Sequence, residues 1–117
     1  MASPDPTARY VDIYLLPVRA DRIDAYREQA ALFGRVAREC GALAYREFRG
    51  EDLGDGLPVR EGELLTAAVA EFESRAHRDA VMEKVLADPR VTAIADAEQV
   101  TDMEQMRYGG FELLVGA

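Results

Sequence analysis

A chain of 117 residues that is 49% hydrophobic and 31% charged suits one globular domain, large enough for its own core and too apolar to stay disordered. A net charge of -8 and a pI near 4.6 leave no basic stripe for a phosphate backbone, which excludes nucleic acid as an expected partner. The lone Cys40 rules out an internal disulfide, and no apolar run approaches the roughly 18 residues of a membrane span. The first residues lack the basic and then apolar pattern of a signal peptide, so a reducing, cytoplasmic setting without a membrane partner is expected.

Residues 1–8 are polar and punctuated by proline and read as a loose tail, with residues 9–117 forming a single domain. Tyr10 to Val18 reads as a strand ended by Pro17. One of its faces carries Tyr10, Asp12, Tyr14 and Leu16, and the other carries Val11, Ile13 and Leu15. Asp21 suits the N-cap of a helix over 22–40, whose stripe Ile23, Tyr26, Ala30, Phe33, Ala37 and Cys40 ends at Gly41 in the C′ position. Gly34 inside that helix costs about 1 kcal/mol relative to alanine, which a close contact with the sheet would explain. Leu43 to Arg49 is a second strand, with Leu43, Tyr45 and Glu47 on one face. The acidic, glycine-rich stretch 50–62 is a loop that reads either as a lid or as plain surface. Leu64 to Phe72 is a third strand. Ser74 caps a helix to about Asp88, Pro89 opens a short helix, and Met106 to Val115 closes the sheet.

The resulting order, β-α-β-β-α-β, is α+β and ferredoxin-like: an antiparallel sheet with its helices on one face. The face bearing Tyr10, Tyr14, Leu16 and Tyr45 is then expected to lie uncovered, and a second copy packed against it makes a homodimer. Polar residues pointing into the enclosed space are the site candidates: Asp12, Glu47 and Glu71 among Tyr10, Tyr14, Tyr45 and Tyr108. A carboxylate in apolar surroundings holds its proton more tightly and can serve as a general acid or base. The competing reading pairs Asp12 and Glu47 with Arg46, Arg49 or Arg107 at the sheet edge. His77, the single histidine, sits in the first turn of the second helix, where it is either an acid–base group or packing against the strand end. Gly109-Gly110 within a strand implies a bulge, a bend or the close approach of a ligand or partner. No zinc-ligand spacing, phosphate-binding glycine loop or nucleophile elbow occurs, so no metal or cofactor is expected of the chain itself.

Three segments carry a family likeness: Gly41 to Glu47, Glu71 to Asp79 and Met106 to Phe111. Together they resemble DUF1428, and the resemblance implies a dimeric α/β barrel but no particular reaction. Ala67 and Val69 stand where members of that family carry larger aromatic residues, which favours a cavity over a plug. Two functional readings follow. In the first, the dimer binds a small, partly apolar molecule and performs cofactor-free oxygenation or isomerisation. Asp12 or Glu47 is then the base, Tyr45 or Tyr108 is the donor, and Tyr10, Tyr14, Val69, Glu71, His77, Gly109 and Gly110 surround the ligand. In the second, the chain is a non-catalytic dimerisation or stress-associated module with a filled barrel.

Overall fold

Four β-strands pair antiparallel in the order β2-β3-β1-β4, with β1 at Tyr10–Arg19, β2 at Ala44–Arg49, β3 at Glu63–Phe72 and β4 at Arg107–Glu112. The computed structural model describes residues 7–96, 100, 101 and 103–117, so most of the expected tail over 1–8 lies outside the described residues. Three helices, α1 at Ile23–Glu39, α2 at Arg75–Ala87 and α3 at Pro89–Asp96, complete the expected ferredoxin-like α+β fold.

Local chemistry accounts for most boundaries. At the end of α1, Ala42 N–H bonds to Ala37 C=O and Gly41 N–H to Arg38 C=O, while Gly41 takes φ 121°. This is a Schellman stop, which needs a residue at ease in the left-handed region. Ser74 Oγ accepts from His77 N–H at 3.0 Å and opens α2. Asp88 Oδ1 accepts from Arg90 N–H at 2.9 Å, with Pro89 as the first residue of α3.

Three expected boundaries differ. Pro17 does not end β1 but lies buried inside it, opposite Leu65. Asp21 does not cap α1, because Ala20–Arg22 form a 3-10 turn and Asp21 instead accepts from Arg19 Nη2 at 3.1 Å. The closing strand stops at Glu112, leaving Leu114 and Val115 exposed.

Residues directly opposite in an antiparallel ladder share a face, so the register decides which side the helices cover. Ala70 and Phe72 of β3 pack into the core with Val36 and Ala37 of α1 and Val81 and Val85 of α2. Asp12 lies opposite Ala70 and Gly110, Tyr14 opposite Ala68 and Tyr108, and Tyr45 opposite Ala70. The tyrosine-bearing face is therefore the helix-covered one, contrary to the expectation that it would be left open. The reason is size matching: Ala30, Gly34 and Ala37 make α1 thin where large rings rise from the sheet. The open face instead carries Val11, Ile13 and Leu15 of β1, Ala67, Val69 and Glu71 of β3, Arg46 and Phe48 of β2, and Gly109 and Phe111 of β4.

Candidate functional site

Two polar clusters stand on the covered face, one centred on β1 and the other on β2. In the first, Asp12 is 2% exposed and accepts from Arg78 Nη1 at 2.5 Å and from Tyr14 Oη at 3.2 Å. Arg78 reaches down from the first turn of α2, its guanidinium 5.2 Å from the Tyr10 ring centroid. The positive end of a helix is an unfavourable place for arginine, and the buried Asp12 carboxylate compensates it. Arg78 also donates to Asp79 at 2.7 Å, so its charge is shared between a buried and an exposed partner.

In the second cluster, Glu47 projects from β2 and receives two phenols. Tyr45 Oη donates to Oε2 at 2.5 Å, and Tyr26 Oη, from α1, donates to Oε1. Burial pushes the Tyr45 and Tyr26 hydroxyls above the ordinary tyrosine range, and the neighbouring Glu47 adds to both shifts. Tyr14 is raised for the same first reason, with the Asp12 charge second. All three phenols are thereby held as neutral donors. A carboxylate offers about four acceptor positions, so the two phenols leave Glu47 capacity for a further donor.

Between these clusters and the helices lies a cleft of about 610 Å³. Tyr14, Tyr45, Glu47 and Tyr108 line it, as do Tyr26, Phe33 and the methionines Met82, Met103 and Met106. Tyr14 and Tyr108 stack across the ladder with centroids 5.7 Å apart, and Phe33 meets Tyr45 at 5.5 Å. Glu47 is the one charged side chain among the described residues of the lining.

Of the expected site residues, the fold thus gathers Tyr14, Tyr45, Glu47 and Tyr108. Asp12, Tyr10 and Gly110 lie on the same side but outside the cleft lining. Gly110 belongs to no bulge: it pairs in register with Asp12, and a Cβ there would collide with the Tyr10 hydroxyl. Val69, Glu71 and Gly109 are on the opposite face, because Val69 and Gly109 pair with Ile13 and Glu71 with Val11. Ala67 and Val69 consequently shape no part of this cleft. His77 Nδ1 accepts from Glu73 N–H at 3.0 Å, and its ring meets Phe72 edge-on at 5.9 Å, away from the lining. None of the loop residues 50–62 lines the cleft.

Sequence reading missed Arg78 as the partner of Asp12, having turned to Arg46, Arg49 and Arg107. Its signal was an arginine at the wrong end of a helix dipole. It also placed Tyr26 only in a core stripe, although a tyrosine there needs a partner for its hydroxyl.

The chain matches the model of the family described as "Protein of unknown function (DUF1428)" over residues 9–103. It belongs to that family. An uncharacterized Escherichia coli K12 protein, YbaA, is 34% identical over 115 residues, covering 92% of this chain and 97% of that one. Among solved structures, a mutant of SnoaB, a cofactor-independent oxygenase from Streptomyces nogalater, superposes with TM-score 0.53 at 16% identity, covering 93% of this chain and 96% of that one. A dimeric ferredoxin-like protein from an uncultured marine organism gives TM-score 0.56 at 10% identity, covering 93% of this chain and 99% of that chain. At such identities the structural likeness speaks for the fold alone. No helix among the described residues is long and apolar enough to cross a membrane.

Proposed function

We propose that this chain is a homodimeric binding protein that takes a small, partly apolar molecule into the cleft between sheet and helices. The observation that carries this reading is a cleft of about 610 Å³ in which one carboxylate, Glu47, is presented by two phenols among aromatic and thioether walls. Such a mix of apolar lining and few convergent polar groups is what ligand sites have in common. A space of that size also argues against the rival reading of a filled, non-catalytic module.

Within this reading Glu47 is the base for a cofactor-free proton transfer, and Tyr45 or Tyr108 orients the substrate. Asp12 is a positioning residue, since its carboxylate is engaged by Arg78 and Tyr14 and lies outside the lining. The structural neighbour named as a cofactor-independent oxygenase is consistent with that chemistry without selecting it.

The dimer is assigned to the open sheet face rather than the tyrosine face. Val11, Ile13, Leu15, Ala67, Val69, Phe48 and Phe111 form a continuous apolar surface there, with Phe48 and Phe111 about half exposed at 51% and 54%. A second copy buries like against like around a two-fold axis. Native mass spectrometry of freshly purified protein tests both halves. The expected species is a dimer carrying a small adduct that Glu47→Gln weakens; a bare monomer would contradict the reading.

A further inference from the structure

The charge balance of the cleft narrows the ligand class. This inference rests on the cleft being the binding site. Glu47 takes part in no ion pair among the described residues, and its partners are the neutral hydroxyls of Tyr26 and Tyr45. The contrast with the first cluster is direct: the fully buried Asp12 has the Arg78 guanidinium against it, while the half-buried Glu47 has only hydroxyls. Arg27, Arg35, Arg38 and Arg46 share a second, more open pocket with Glu47 but form no ion pair with it among the described residues. On the cleft side its charge therefore meets only neutral groups, and a cation brought by a ligand complements it.

The walls suit the same visitor. Tyr14, Tyr26, Phe33, Tyr45 and Tyr108 place five aromatic rings around the cavity, and the faces of such rings attract organic cations. The remaining lining is aliphatic, thioether or neutral polar, as at Met82, Met106 and Gln29. Thioethers adapt their shape to apolar bodies. Among the described residues of the lining none offers a positive charge to an anion.

We infer that the ligand is an organic cation, an apolar body carrying an ammonium or similar positively charged nitrogen that docks against Glu47 within the aromatic ring of the cleft. The nitrogen donates into the carboxylate positions left open by the two phenols, and the apolar body runs toward Met103 and Tyr108, which are 52% and 69% exposed at the mouth. Glu47 acts as counter-ion in this role, whether or not it also removes a proton.

Three probes of one shape test the inference by calorimetry on the purified wild-type protein: phenylbutylammonium, phenylbutanol and phenylbutyrate. The ammonium is expected to bind about tenfold tighter than the alcohol, and the carboxylate more weakly than either. In Glu47→Gln the ammonium's advantage over the alcohol should vanish while the alcohol still binds. Tyr26→Phe keeps the charge and should keep the ranking. Carboxylate binding equal to or tighter than that of the ammonium, or an unchanged preference in folded Glu47→Gln, would overturn the cation assignment and leave the cleft standing. Failure of all three probes would instead remove the cleft as a ligand site, and this inference with it.

Discussion

A Cβ on Gly34 of α1 would stand 2.6 Å from Cδ1 of Tyr45 on β2, closer than any stable carbon contact. The missing side chain at Gly34 leaves room for the Tyr45 ring, whose hydroxyl donates to Glu47. Gly34→Ala should gain about 1 kcal/mol of helix propensity and lose about 1–3 kcal/mol to overpacking, for a net destabilisation. Combined with Tyr45→Ala, which removes the obstacle, the same substitution should become stabilising. Denaturant midpoints of the four proteins in this cycle measure the coupling directly.

The Asp12–Arg78 pair is expected to dominate the stability of the covered face. Arg78→Met leaves a carboxylate 2% exposed without its cation, and should cost about 3 kcal/mol. Replacing both residues with apolar ones, Asp12→Leu with Arg78→Met, should recover most of that loss. Equal destabilisation of single and double variants in urea unfolding would show that the pair is not what matters.

How much of this was legible beforehand follows the same two residues. Strand alternation correctly grouped Asp12 with Tyr14, and Tyr45 with Glu47, since a period of two is written into the sequence. Which side receives the helices is not local information. It depends on small residues of α1 meeting large ones of the sheet, and on Arg78 finding Asp12 across 66 positions of chain. Glu71 was misplaced because β1 and β3 pair with odd residues opposite odd ones, so it sits beside Val11 and not beside Asp12. Caps such as Ser74 and Gly41 were readable because their chemistry is confined to a few consecutive residues.

The three raised phenols give a pH dependence of definite sign. Tyr14, Tyr26 and Tyr45 hold their protons more tightly folded than unfolded, where a tyrosine titrates near 10. Their contribution to stability is therefore complete below about pH 10 and is lost as pH rises above it. Tyrosinate absorbance of the native protein should show a deficit that disappears on unfolding. Free titration of all five tyrosines in the native state near the ordinary value would contradict the burial of these three.

At the start of α3, Asp88 receives Arg90 N–H at 2.9 Å, and the Arg90 guanidinium also bridges to Glu39 at the end of α1. Asp88→Ala, which removes the cap, should lower the unfolding temperature more than Glu39→Gln, which loses only an exposed ion pair. Thermal unfolding of the two variants side by side checks that ranking.

The cleft itself is best tested by methyl nuclear magnetic resonance. Met82, Met103, Met106 and Ile94 line it, whereas Ile13 points from the open sheet face. With isotope-labelled methionine and isoleucine methyls, titration of phenylbutylammonium should shift the four lining resonances together and saturably, and leave Ile13 in place. A saturable shift at Ile13 with the lining methyls unmoved would put the ligand on the other side of the sheet and contradict the assignment of this cleft as the functional site.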